Sequence, residues 1–202
     1  MPRKAPARVR HKPRLPSKAK VPVAPRERLL DTAAGLFRSQ GLHVGIDTIL
    51  DASGVAKMTL YNHFANKDAL MEATLRREHE RWRTWFVQRV EARAASADAR
   101  LLAVFDVLEE WFTQPGFRGC LFLNATCELP HDHPARAAAC AHFTWLHERM
   151  VHYARLAEVL EPEMVGKQAT LLVAGAIATA HACGTALPAK VAKGTLAQLL
   201  EK

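Results

Sequence analysis

Residues 56–67 read Ala-Lys-Met-Thr-Leu-Tyr-Asn-His-Phe-Ala-Asn-Lys, a dense run of cationic and hydrogen-bonding side chains. Leu60 and Phe64 stand four apart, so on a helix they share one face. With those two packed inward, Met58, Thr59 and Asn62 turn outward, and Lys57 and Tyr61 lie at the edges. A helix this short does not hold itself together, so Leu60 and Phe64 must anchor it to its neighbours. Ahead of it, the residues from Ile46 predict another short helix, and Ser53-Gly54-Val55 predicts a turn. Two short helices joined by a turn with glycine form the helix-turn-helix pattern, whose second helix enters the major groove of DNA.

Other residues capable of chemistry are more scattered. His131, His133, His142, His147 and His152 invite a metal reading. The last three are spaced by five, which turns each about 140° from the one before, so a single helix cannot aim them at one ion. A mixed site from Cys127, Glu128, His131 and His133 is conceivable, but neither a metal nor a cofactor is expected. Cys120, Cys127, Cys140 and Cys183 show no CxxC spacing, which argues against a zinc site or a disulfide scaffold. Cys120 and Cys127 would sit about 10 Å apart along one helix, too far to bridge. The chain has no Walker loop, GxGxxG, GxSxG or HExxH, so nothing organises a catalytic site, and an enzyme is not expected.

Around Asn124 the pattern suggests a cavity. On a helix, Cys120, Asn124 and Cys127 fall within about 60° of one another, with Glu128 beside them. A polar stripe inside an otherwise apolar helix suits a ligand cavity, which combines apolar walls with a few placed polar groups. Equally, Asn124 can cap or bridge neighbouring helices while the cysteines fill space as small hydrophobes. Trp111, Phe112, Phe143 and Trp145 read as core, though one or two can serve both roles. The candidate pocket set is therefore Trp111, Phe122, Asn124, Cys127, Glu128 and Trp145.

The elements that must position these residues are all helical. Leu29, Leu30, Ala33, Leu36 and Phe37 form a stripe at three-four spacing, predicting a helix over 26–40 that ends at Gly41 in the left-handed C′ position. Asn66 is a good N-cap for a helix from Lys67 to about Arg93, with Asp68 near its positive end. Within it, residues 76–83 alternate in sign as on a solvated face. A joint at 94–96, a helix over 98–114, a break at Pro115-Gly116, a helix over 120–129, a loop over 130–134 and a helix from 135 to about 160 follow. Helices over 162–184 and 188–200 complete an all-α chain of about nine helices. Residues 168–189 carry no formal charge, a run longer than the ~18 that raises the question of a membrane span. They lack bulky lipid-facing residues, so Ala174, Gly175, Ala178 and Ala182 are expected to make a close helix-helix contact instead.

The length of 202 residues suits one sizeable domain or a small domain fused to a larger one. Net charge is +8, and its location matters more than its sum. Residues 1–25 hold eight cations, no acid and six prolines; the rest of the chain is balanced at twenty basic and twenty acidic residues. That composition predicts a disordered arm, either an electrostatic extension toward phosphates or an incidental leader from an early start codon. No apolar signal-peptide core follows it, and its prolines forbid the amphipathic helix of a transit peptide. A cytoplasmic location is expected, in keeping with the reduced-looking cysteines.

With its elements in this order, the chain resembles the TetR/AcrR family of transcriptional regulators. The resemblance rests on residues 26–41 as first helix, on Gly54-Val55, on Lys57-Met-Thr-Leu-Tyr-Asn-His-Phe64 and on Asn66-Lys-Asp-Ala-Leu70. It covers about 50 residues. Farther on, Gly119-Cys-Leu-Phe-Leu-Asn-Ala and the His133-Pro134 pair are similar to one branch of the family. The resemblance implies an N-terminal helix-turn-helix domain over 26–70 after the arm, then an effector-binding and dimerisation domain over 71–202. It implies a homodimer on double-stranded DNA, at a palindromic operator released by a small-molecule effector. A constitutive DNA-binding protein, driven partly by the arm, is the alternative. By the same resemblance Lys57, Met58 and Thr59 read base edges, and Thr48, Tyr61, Asn62, His63 and Lys67 meet phosphates. His63 can instead be a buried, hydrogen-bonded imidazole. One departure is Gly45-Ile-Asp-Thr48, where the family often has Thr or Ser: Gly45 brings no hydroxyl, and Asp47 would repel a phosphate. Residues 26–75 hold five cations against six acids, so this domain brings little unspecific attraction of its own.

Overall fold

The computed structural model describes residues 23–201; the basic arm expected over 1–25 therefore lies outside the described residues, apart from its last three. Nine helices follow in chain order: α1 (Pro25–Gln40), α2 (Ile46–Ser53), α3 (Lys57–His63), α4 (Lys67–Arg93), α5 (Arg100–Phe112), α6 (Leu121–Glu128), α7 (Pro134–Leu156), α8 (Pro162–Cys183) and α9 (Leu187–Leu200). Among the described residues there is no strand. No helix among them is long and apolar enough to cross a membrane.

Helix α1 begins on Pro25, whose ring presets φ and whose missing N–H would have had no helical partner there. It buries Leu29, Leu30, Ala33, Ala34 and Phe37; Leu36, expected in that stripe, is only half-buried. At the end of α1, Gly41 has positive φ (88°) but extended ψ (170°), so it does not form the left-handed cap the sequence suggested. The chain leaves the helix straight, which lets Leu42 and Val44 enter the core. Glycine does take the left-handed cap at Gly54, between α2 and α3, with its N–H donating to the Leu50 carbonyl at 3.0 Å.

Helix α4, about 40 Å long at 1.5 Å per residue, joins the two halves. Its N-cap is Asn66, whose Oδ1 accepts from the Ala69 N–H at 2.8 Å. Its first half packs on α1 through Leu70, Met71, Thr74, Leu75 and Glu78, and its second half buries Phe86 and Val90. Beyond it, α5, α7, α8 and α9 form the larger bundle, with α7 against α8 and α9 against both α5 and α8.

Helix boundaries differ from expectation where the stop leaves no mark in the sequence. Helix α7 ends at Leu156 rather than near Leu160 because Glu158 adopts φ 53°. The Val159 N–H then donates back to the Ala154 carbonyl at 3.4 Å, closing a Schellman-type end without glycine. Helix α5 is two residues shorter at each end than the 98–114 expected, and α6 starts one residue late because Cys120 is its N-cap, Sγ accepting from the Leu123 N–H at 3.4 Å.

At Gly166 on α8 the backbones of α7 and α8 come close together. A Cβ there would stand 2.4 Å from Val151 Cγ2 and 2.9 Å from Val151 Cα on α7. Gly166→Ala must push the two helices apart and should cost about 1–3 kcal/mol, read as a lower urea midpoint with unchanged m-value. A neutral result would mean that α7 and α8 separate freely.

Candidate DNA interface and ligand cavity

Helix α3 is held from below by Leu60 and Phe64, at 0% and 5% exposure, in a core shared with Ile49, Leu50 and Val55. Its other side stands clear: Met58 is 74% and Tyr61 45% exposed, with Lys57, Asn62 and His63 exposed and Thr59 half-buried. The exposure of His63 removes the buried-imidazole reading. Thr48 is exposed on α2, while Gly45 caps that helix with no side-chain bond. Asp47 lies beside the outward face, its Oδ1 3.8 Å from Lys57 Nζ, both side chains being well exposed. Lys67 is half-buried at the start of α4.

The near-neutral charge count of this domain changes meaning in three dimensions. Glu27 pairs with Arg77 at 3.0 Å, and Asp31 pairs with Arg77 and Arg81, each at 2.9 Å. Glu72 pairs with Arg76 at 2.8 Å. Arginines of α4 thus absorb three of the six acids.

A crevice between the two halves is lined by Leu42, His43, Lys67, Glu128 and His133. Glu128, at the end of α6, accepts from the Leu42 backbone N–H at 2.7 Å, with His43 Nδ1 3.9 Å from the same oxygen. His133 caps α7: Nδ1 accepts from the Ala135 N–H at 3.1 Å, which leaves the proton on Nε2, 3.4 Å from Asp68 Oδ1. Arg136 donates to the Thr126 and Leu129 carbonyls, satisfying the end of α6. Glu128 therefore serves the junction between the halves and does not line the ligand cavity expected for it.

That cavity, of about 270 Å³, lies among α1, α4, α5 and the start of α6. Of the expected set, Trp111 and Phe122 line it. Trp145 sits behind, edge-on to Trp82 at 5.9 Å between ring centres. Asn124 and Cys127 do not line it; Asn124 is half-buried and Cys127 exposed, because the lining edge of α6 is its N-terminal one, Cys120, Leu121 and Phe122. Among the described residues no three His, Cys, Asp or Glu side chains could together hold a metal ion, and of the conceivable mixed set His131 and Cys127 are exposed.

The residues that sequence reasoning passed over are Arg38, Glu78, Arg81, Trp82 and Trp85, all lining the cavity. The stretch 76–83 is not simply a solvated face: Glu78 is 6% exposed. It is met by Arg38, by Arg81 at 3.1 Å and by Arg77 at 3.4 Å. The signal was periodicity rather than charge, since Leu75, Glu78, Trp82, Phe86 and Val90 recur at three-four spacing on one face.

Against the inner wall, His79 and His142 approach with Nδ1 atoms 3.2 Å apart, one ring donating and the other accepting. His142 is 2% exposed and stacked on Phe122 at 3.9 Å. Burial, and secondarily His79, pushes its pKa down to about 3. Burial and then Arg83 lower that of His79.

Residues 29–74, from α1 into α4, match the family model described as bacterial regulatory proteins, tetR family. The fold of nearly the whole chain matches solved structures. A TetR-family transcriptional regulator from Streptomyces coelicolor is 29% identical, with a TM-score of 0.79 over 88% of this chain and 94% of that one. A putative TetR transcriptional regulator from Streptomyces avermitilis is 29% identical, with a TM-score of 0.77 over 89% and 99%. The Escherichia coli NemR structure shares the fold alone, at 21% identity and a TM-score of 0.76 over 85% and 94%. The chain is thus similar to tetR-family regulators in residues 29–74 and to TetR-family structures in its fold. None of the curated proteins matches it. In this TetR-like fold α2 and α3, inside the matched residues, form the helix-turn-helix.

The buried imidazole pair gives stability a pH dependence. His142 holds a proton far less readily folded, at about 3, than at its ordinary 6.5. The unfolded chain therefore binds more protons in mild acid. The neutral pair's stability is complete above the ordinary value and is lost as pH falls toward 3, at up to about 1.4 kcal/mol per pH unit. His142→Phe should flatten the fall in unfolding free energy between roughly pH 6.5 and 4, followed by urea titration at each pH. An unchanged slope would show that His142 takes up no proton on unfolding.

Proposed function

We propose that this regulator is a homodimeric, cytoplasmic repressor that sits on a palindromic operator and leaves it when a small molecule fills the cavity among α1, α4, α5 and α6. One observation carries the reading: Arg38, a residue of the DNA-binding half, lines the same cavity as Trp85 and Trp111 of the other half. A ligand there touches both parts at once, which gives it different interaction energies in DNA-bound and free arrangements, the requirement for coupling. The constitutive alternative leaves that cavity without a role, and no catalytic constellation supports an enzyme.

On the DNA side, Lys57, Met58 and Thr59 are assigned to base edges. A lysine donates to guanine O6 and N7, and methionine or the threonine methyl meets a thymine methyl. Thr48, Tyr61, Asn62, His63 and Lys67 are assigned to phosphates, which fix register without reading sequence. Asp47 beside Lys57 holds its ammonium near the base-reading edge and makes a misplaced phosphate unfavourable. In vitro selection of bound DNA, followed by a small-molecule release screen, tests the whole reading. Lys57→Ala should cost about 1–3 kcal/mol at one operator position and relax preference there. Tyr61→Ala should weaken all sequences alike. Full sequence preference in the Lys57 variant would remove the base-reading assignment.

The homodimer is assigned to α8 and α9. A groove of about 410 Å³ runs between them, and Leu171, Leu187 and Val191 beside it are 73%, 59% and 59% exposed. Gly175, Ala178 and Ala182, exposed on α8 in a single chain, let a second backbone come close. Leu171→Glu should yield monomers in sedimentation at micromolar concentration and lose operator binding. A dimer that survives it would place the interface elsewhere.

A further inference from the structure

The proposed effector cavity is built for a particular chemistry. Three of its walls are indoles: Trp82, Trp85 and Trp111 stand with ring centres 6.1–6.2 Å apart in a triangle. Its ionisable lining consists of Arg38, Arg81 and Glu78, a net positive set. Glu78 does not offset a ligand's charge, because three guanidinium groups already surround it. Among the described residues Arg38 has Glu78 as its one carboxylate partner, and its side chain is 44% exposed, so most of its five N–H donors remain for another acceptor. Arg81, 53% exposed, divides its contacts between Asp31 and Glu78. Cys120, close enough to feel Arg38, adds no negative charge, since burial pushes its thiol up to about 11. At about 270 Å³ the space suits a one- or two-ring molecule, just under the ~300 Å³ at which drug-sized pockets begin.

Resting on the effector reading above, we propose that the ligand is a compact aromatic carboxylate, its ring laid against the wall formed by Trp82, Trp85 and Trp111 and its carboxylate held by Arg38 and Arg81. Guanidinium and carboxylate match as a planar, charge-assisted pair. Flat rings gain both burial and edge-to-face contact against indoles. Tryptophans also receive cations through their faces, but two arginines in the lining oppose a cation here. Arg38 belongs to α1 and Glu78 to α4, so an incoming carboxylate competes with Glu78 for one of the guanidinium groups that tie the two helices. The ligand thereby acts on the position of the DNA-binding half through one side chain.

Three probes of one shape decide the matter on the full chain: naphthoate, its neutral amide naphthamide, and naphthylmethylamine as the cation. Equilibrium dialysis against the DNA-free protein should show naphthoate binding roughly tenfold or more tighter than naphthamide, with the amine weakest. Arg38→Gln and Arg81→Gln should each erase the preference for naphthoate over naphthamide, while circular dichroism melts report whether either variant stays folded. Equal binding of acid and amide, preference for the amine, or no binding of any probe would overturn the ligand class on wild-type protein alone. Release from the selected operator is measured separately. Naphthoate that binds with the expected Arg38 dependence but leaves DNA affinity unchanged would sustain the ligand assignment and defeat the effector reading. Release by some other molecule, with naphthoate inert, would do the reverse.

Discussion

A carboxylate taken out of water must be met by opposite charge, and this molecule meets Glu78 with three arginines drawn from two helices. Deprived of all three, the Glu78 charge would be stranded in the interior, which is the costly case for a buried ion. The constraint therefore fixes where α1 lies on α4, since Arg38 must reach Glu78 from the far end of α1. Two of those guanidinium groups, on Arg77 and Arg81, also reach Asp31 and Glu27 on α1, so the joint is laced along its length. Apolar burial of Leu29, Leu30, Phe37, Leu70 and Leu75 supplies the attraction. The charges supply the register.

That register carries the rest. Helix α3 is too short to persist alone and rests on Leu60 and Phe64. Its orientation is inherited from the core it shares with α1. The larger bundle, in turn, presents Trp82, Trp85 and Trp111 around a space that ends on Arg38. Recognition surface, joint and cavity are consecutive along one stack of packed side chains.

Much of this was legible from residue spacing. The inward pair Leu60 and Phe64, the Asn66 cap and the full extent of α4 followed from three-four periodicity and capping chemistry. The cavity was less legible, for a definite reason. Its polar members, Arg38, Glu78 and Arg81, look in sequence like an exposed charge run, and only a partner 40 residues away shows that Glu78 is enclosed. On α6 the stripe of Cys120, Asn124 and Cys127 pointed to a ligand face, whereas the helix offers its N-terminal edge to the cavity and its C-terminal Glu128 to the DNA-binding half. A helical wheel gives angles but not which neighbour each end meets. The end of α7 was illegible because Glu158 takes a conformation that sequence patterns assign to glycine.

The contact between Glu128 and the loop after α1 has a genetic side. Its acceptor is a side chain, but its donor is the backbone N–H of Leu42. Substitution at position 42 leaves that donor in place for every amino acid except proline, which has none. The hydrogen bond itself therefore survives a change of side chain at position 42, where burial of Leu42 in the core sets a separate limit, but it depends on an acceptor at position 128. Nearby Gly41 is also constrained, since a Cβ there would stand 2.9 Å from the His43 ring and 3.1 Å from the Glu128 carboxylate. Heritable change in how the halves communicate has few places to enter at this contact, and Glu128 is the most direct of them.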